Sequence, residues 1–210
     1  MNFPYDNKYK YIKDLGSGGF GKVFLAEEKF SNRKVAIKQF HEADPVKLEK
    51  IIHEIEIVSQ FKHHNIVTYY HHFFFDSKLC FVMEYCEGGS LRDKIRKEKY
   101  SMTDVFNWFQ TLTECLRVVH KKSTIHHDIK PDNILFTDNG TIKISDFGVA
   151  NTGGGTSGYV SPESYDWKNN NVKDPRVDIY ALGVTLMETL NRKNPFSYLT
   201  EEKIIDLHKN

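Results

Sequence analysis

The tetrapeptide Glu87-Gly88-Gly89-Ser90 divides the chain into two stretches of opposite texture, and that division narrows the folds available to it. Before it, aromatic and β-branched residues come in short runs: Tyr11-Ile12, Val23-Phe24-Leu25, Val35-Ala36-Ile37, Ile66 to Phe75 and Leu79 to Tyr85. Runs of this length between glycine-rich or polar turns predict strands. One helix breaks the series. Asp44-Pro45 pairs a cap with a first-turn proline, and Leu48, Ile51, Ile52, Ile55 and Val58 then recur at three- and four-residue steps. After Ser90 the patterning turns helical, most clearly over Val105 to His120. The expectation is an α+β chain, with a small strand-rich domain over 1–86 and a larger, mostly helical one over 87–210.

Composition narrows the function classes. Of 210 residues, 40% are hydrophobic and 27% charged, at a net charge of +1, which suits one large core or two small ones and gives no cause to propose a nucleic-acid partner. The densest basic stretch, Arg92 to Lys99, is broken by Asp93 and Glu98 and reads as a solvated helix. No apolar run reaches membrane-spanning length. Ile179 to Leu190 comes nearest, and Glu188 interrupts it. Three cysteines, Cys80, Cys86 and Cys115, form no disulfide framework, so a reducing, cytoplasmic setting is expected. The histidine pairs at 63–64, 71–72 and 126–127 lack a completing cysteine or acid, and no metal site is read from them.

Gly16-Ser17-Gly18-Gly19-Phe20-Gly21-Lys22-Val23 carries glycines at spacings that let a backbone pass close over phosphates. A glycine-rich hairpin turn would look the same. A dinucleotide fold would continue into a helix, whereas Val23-Phe24-Leu25 continues as strand. Val35-Ala36-Ile37-Lys38 ends an apolar strand in a lysine, ordinarily a snorkelling surface residue. In this order and at this distance from the glycines, the two segments resemble the protein kinase family.

That resemblance implies a function for residues further on. An acidic partner for Lys38 would stand nine positions before the histidine of His63-His64-Asn65-Ile66-Val67, which selects Glu54 over Glu56. In His126-His127-Asp128-Ile129-Lys130-Pro131-Asp132-Asn133 and Asp146-Phe147-Gly148, phosphoryl transfer finds its few requirements. Asp128 would orient the acceptor hydroxyl, Lys130 would face the transferred phosphate, and Asn133 and Asp146 would ligate magnesium. Phe81 to Cys86 resembles the adenine-binding hinge, with Met83 as gatekeeper and Glu84 and Cys86 supplying backbone groups. The implied nucleotide-binding set is Gly16, Gly18, Gly21, Val23, Ala36, Lys38, Met83, Glu84, Cys86 and Leu135. Lys130-Pro131 is similar to the serine/threonine form of the family.

The expected fold is the two-lobed kinase fold, its N-lobe an antiparallel sheet with one helix. The expected activity is ATP- and Mg2+-dependent phosphorylation of serine or threonine in a protein substrate. The alternative is a pseudokinase or nucleotide-binding scaffold, which usually lacks the residues matching Lys38, Asp128 or Asp146. His127 stands where the family has an arginine that reads activation-loop phosphate, so that control is not expected here. Gly155-Thr156 and Tyr159-Val160-Ser161-Pro162-Glu163 resemble the substrate-binding end of the activation segment, and Asp178 to Gly183 a buried anchoring helix. Only Thr200 to Asn210 follows the Pro195-Phe196 region, enough for one helix start. The C-lobe is therefore expected to lack its last helices, to leave Glu163 without the arginine it is buried against in the family, and to offer its open base for association.

Overall fold

A computed structural model describes residues 8–18, 21–41, 48–49, 51–52, 56, 59–97, 99–147, 156–165 and 174–209. The chain forms two compact units, one of Met1–Lys62 with Val67–Cys86, the other of His63–Ile66 with Glu87–Asn210.

The first unit is built on a five-stranded sheet of β1 (Tyr9–Gly18), β2 (Gly21–Glu28), β3 (Arg33–Phe40), β4 (Tyr69–Phe75) and β5 (Lys78–Glu84). The strand order is β1-β2-β3-β5-β4, and every pairing is antiparallel. Alternation along the strands sends Tyr9, Ala26, Val35, Ile37, Cys80 and Val82 into one cluster, flanked by Tyr70, Phe73 and Phe75. Ile37 and Val82 are wholly buried there, each stabilising the sheet by about 2 kcal/mol. The turn between β4 and β5 is two residues long, and both Asp76 and Ser77 take positive φ, as a primed hairpin turn demands. Leu48, Glu49, Ile51 and Ile52 are helical, Ile51 is buried, and the rest of the helix predicted after Pro45, including Ile55 and Val58, falls largely outside the described residues.

The second unit contains α1 (Leu91–Lys97), α2 (Met102–His120), the hairpin of β6 (Ile134–Phe136) and β7 (Ile142–Ile144), α3 (Arg176–Asn191) and α4 (Glu201–Lys209). Helix α2 begins three residues before the predicted Val105. Ser101 and Asp104 form a reciprocal capping box that satisfies the first free N–H groups. Its stripe of Val105, Phe109, Leu112, Cys115, Leu116 and Val119 is buried. Helix α3 is buried on more than one face, through Val177, Asp178, Ala181, Leu182, Val184, Thr185, Glu188 and Thr189. Thr185 and Thr189 satisfy their hydroxyls by donating to the carbonyls of Ala181 and Thr185.

Residues 63–66 depart from the expected division at residue 86. Asn65 Nδ2 donates to the Ile142 carbonyl at 2.8 Å, and the Ile144 N–H donates to the Asn65 carbonyl at 2.8 Å. Ile66 bridges Ile144 in parallel. These bonds to the β6–β7 hairpin are why β4 begins at Tyr69 and not at the predicted Ile66.

Candidate active site

In the first unit, register brings predicted residues together. Val23 lies opposite Lys38, Ala36 opposite Met83, and Lys38 opposite Phe81, so Val23, Ala36, Lys38 and Met83 share the sheet face turned away from the Tyr9–Val82 cluster. Lys38 is 6% exposed, its Nζ 5.5 Å from the centroid of the Phe40 ring. A buried ammonium at the foot of a strand differs from the snorkelling residue that sequence alone would suggest. The glycines separate by cause. A Cβ at Gly21, where φ is +152°, would stand 2.0 Å from the Gln39 carbonyl oxygen, so the β2–β3 pairing itself demands glycine there. At Gly16 and Gly18 a Cβ would meet no described residue within 4 Å, so packing among the described residues does not by itself demand glycine there. At the end of β5, the Glu84 N–H donates to the Thr68 carbonyl at 2.8 Å, and its carboxylate accepts the Thr68 N–H at 3.0 Å. Cys86 is buried. Glu54 lies outside the described residues, as does Gly148.

In the second unit the carboxylate of Asp128 is held on both oxygens. Oδ1 accepts the Thr156 hydroxyl at 2.8 Å and its N–H at 3.2 Å, while Oδ2 accepts Asn133 Nδ2 at 2.8 Å and lies 2.7 Å from Lys130 Nζ. Lys130 also donates to the Thr156 hydroxyl oxygen. Burial works to raise the Asp128 pKa, but Lys130, Thr156 and Asn133 together hold it below the usual carboxylate range. The side chain is therefore ionised at neutral pH and able to accept a proton. His126 orients it from behind. The Asp128 N–H donates to His126 Nδ1 at 3.1 Å, so Nε2 carries the proton and donates to the Ser145 carbonyl at 2.8 Å. The His126 ring packs on Phe147 at a centroid distance of 4.5 Å, which ties the Asp128 loop to the Asp146-Phe147 turn. Leu135 sits on β6, paired with Lys143 and bridging Ser90.

Asp178, wholly buried on α3, accepts the N–H groups of His126 at 2.9 Å and His127 at 2.8 Å, and His120 Nε2 at 2.7 Å. Burial would raise its pKa, but the His120 bond, the nearby His126 ring and the two loop N–H groups lower it on balance. Where the family has an arginine, His127 sits at φ +65° with an intermediate exposure, and burial pushes its pKa down.

Two expectations are corrected here. Arg92, read as part of a solvated helix, is half-buried: Nη1 donates to Glu188 Oε1, Nη2 to the Tyr159 hydroxyl at 2.7 Å, and Nε and Nη2 to Asp132 Oδ2 at 3.2 and 3.1 Å. Tyr159 in turn donates to Glu188 Oε2, and its own burial, with that bond, pushes its pKa up to about 12. A buried carboxylate draws its partners inward, because leaving it unpaired would cost several kcal/mol. In sequence the only sign was an acid, Glu188, inside an apolar helical run. Glu163, expected in a buried environment, is exposed, where water solvates its charge.

The oxygen donors of this unit are of the chemical kind that a magnesium ion takes. Asn133 spends Nδ2 on the Asp128 carbonyl and carboxylate, each at 2.8 Å, which leaves Oδ1 with no hydrogen bond among the described residues although the side chain is buried. Asn133 Oδ1 and the carboxylate oxygens of Asp146, a residue at φ +59°, are hard donors of that kind.

Residues 9–209 match the family described as Protein kinase domain. The chain is 34% identical to human Serine/threonine-protein kinase Nek5 over 90% of its length and 29% of the relative's. It is 34% identical to Serine/threonine-protein kinase pak-1 of Caenorhabditis elegans over 95% of its length and 36% of the relative's. With Serine/threonine-protein kinase STE20 of Kluyveromyces lactis, the figures are 35% identity over 95% and 21%. The chain thus spans about a third or less of the length of these curated relatives. With a five-stranded antiparallel sheet in one unit and mainly helices in the other, and a family match along nearly its whole length, the chain belongs to the protein kinase family.

Proposed function

We propose that this chain transfers the γ-phosphoryl group of ATP to a serine or threonine hydroxyl of a protein substrate. The observation that carries the reading is the Asp128 carboxylate, ionised and held by Thr156, Asn133 and Lys130. Asp128 orients the acceptor hydroxyl and takes its proton, and Lys130 places positive charge where the transferred group becomes more negative. Lys38 is the residue we assign to the phosphates, and Glu54 is assigned as its acidic partner from its place in the sequence. Gly16, Gly18, Gly21, Val23, Ala36, Met83, Glu84, Cys86 and Leu135 are the residues we assign to nucleotide binding. Asn133 and Asp146 would hold Mg2+, which when bound neutralises phosphate charge. The pseudokinase reading is disfavoured because Lys38, Asp128 and Asp146 are all present. Incubation with labelled ATP, magnesium and a generic protein substrate, beside an Asp128→Asn variant, tests the reading. Label in the substrate with the parent chain and none with the variant is expected, and equal labelling by both would overturn it.

Further parts of the reading concern setting and partners. No helix among the described residues is long and apolar enough to cross a membrane. The three cysteines are buried and in no disulfide, which supports a reducing, cytoplasmic setting. We take residues 1–86, apart from 63–66, as the nucleotide-gripping domain and 87–210 with 63–66 as the catalytic one. Ile179, Met187 and Leu190 project from α3 at 45–48% exposure and supply an apolar surface for association, to be measured by sedimentation velocity.

A further inference from the structure

A cavity of about 600 Å³ opens in the second unit beside the catalytic segment. Its wall includes Asp132, which follows Asp128 by four positions, and Ser157, which follows the Thr156 whose hydroxyl reaches Asp128. The volume suits a few side chains of a bound segment. Among the described residues, its charged lining is four cations, Arg92, Arg96, Arg192 and Lys193, against two anions, Asp132 and Glu188.

The anions are already spent. Glu188 is 4% exposed, and its two oxygens are taken by Arg92 and Tyr159. Asp132 receives Nε and Nη2 of the same arginine. Arg92 is thus a built-in cation in the place where an incoming lysine or arginine would otherwise find carboxylates. Arg96, Arg192 and Lys193 are exposed at the rim. Arg192 spends Nη1 on the Ile95 carbonyl and stacks on the Tyr100 ring, which fixes its position. A concave wall with surplus positive charge focuses its field inward and favours an anion.

We propose that this cavity is a subsite for an anionic side chain, carboxylate or phosphate, lying within a few residues of the acceptor hydroxyl in the protein substrate. The proposal rests on the protein-phosphorylating reading above and deepens it by naming a substrate class.

The test uses the full chain and acceptor peptides that share one threonine. Neighbouring positions on either side carry alanine, aspartate, phosphoserine or lysine in turn. At the best position an anionic residue is expected to raise kcat/KM over alanine by about tenfold, and lysine to lower it. The aspartate and phosphoserine arms distinguish a carboxylate site from a phosphate site. Arg96→Glu combined with Lys193→Glu, both at exposed positions, removes the anionic advantage. Arg92→Ala releases Glu188 and Asp132 and moves the preference toward lysine; should that variant fail to fold, the rim pair still decides. Fluorescence anisotropy of labelled aspartate and alanine peptides reads the same preference without turnover. If no peptide accepts phosphate, the transfer reading falls, while anisotropy still judges the cavity. Wild-type chain that binds the alanine or lysine peptides as well as the anionic ones, or an anionic preference untouched by the rim pair, would overturn the proposal.

Discussion

Oδ1 of Asp178 accepts the backbone N–H of His127 at 2.8 Å, so a wholly buried carboxylate on helix α3 holds a loop residue at φ +65° next to Asp128. The left-handed conformation is strained for histidine, and this bond, with the parallel one from His126, sustains it. Asp178→Ala leaves the buried His126 N–H and the partly buried His127 N–H without their acceptor. The expected loss is about 3 kcal/mol in urea unfolding, with a large fall in turnover. Asp178→Asn, which keeps one acceptor oxygen, should lose less of both. An alanine variant as stable as the parent would show that the loop is held by other means.

Acid should destabilise the protein in two stages. Asp128 and Asp178 both have pKa values lowered by folding, so at low pH the unfolded chain binds more protons than the folded one. Their contribution is full above about pH 4 and is lost as pH falls through the folded values. His127 has the same sign in a higher window. Burial lowers its pKa, so the unfolded imidazole takes up protons first and stability begins to decline below about pH 6.5. Melting temperatures between pH 3 and 8 should show both stages, and His127→Gln should shrink the upper one only, leaving the part due to His71, whose pKa burial also lowers.

Lys38→Met and Asp146→Asn should each lower phosphoryl transfer at least about a hundredfold while the fold survives. Lys38 is buried on the sheet face away from the first unit's apolar cluster, and methionine matches its length without adding a polar group to bury. Circular dichroism and melting check the fold, and transfer of label checks the activity. Near-normal turnover in either variant contradicts the assignment.

The Thr156 hydroxyl donates to Asp128 and accepts from Lys130, linking the two groups assigned to the acceptor and the transferred phosphate. Thr156→Ala should cost about tenfold in kcat, with a smaller effect on the KM for ATP. Thr156→Ser keeps the hydroxyl and should recover most of the rate. If serine proves no better than alanine, the methyl group and not the hydroxyl is what the site requires.

Activity should not depend on activation-loop phosphate. His127 replaces the arginine that would read it, its own N–H is committed to Asp178, and three of the twelve residues from Val149 to Val160 are consecutive glycines. Phosphatase treatment of the purified chain is expected to leave turnover intact. A large loss restored by rephosphorylation of Thr152 or Thr156 would refute this.

Much of the architecture was legible locally. The strands of the first unit and helix α2 could be read from runs and periodicities of near neighbours, because strand and helix patterning depend on residues two to four apart, whereas Asp178 to Gly183 was legible only through its family resemblance. The order of the candidate site residues was legible too, since glycine loop, lysine, Asp128 loop and Asp146 turn keep their spacing along the chain. Tertiary structure alone decided what those residues touch. Arg92 and Glu188 stand 96 positions apart, and nothing within either segment announces the other. A basic helical stretch reads as solvated until a buried acid is folded against it, and an acid in an apolar run reads as an interruption until its partner arrives. Residues 63–66 likewise read as a continuation of the first unit, and only the hydrogen bonds of Asn65 to the β6–β7 hairpin place them in the second. Pairing across such separations is settled by the desolvation of charged and polar groups, which must find partners in three dimensions before they can be buried.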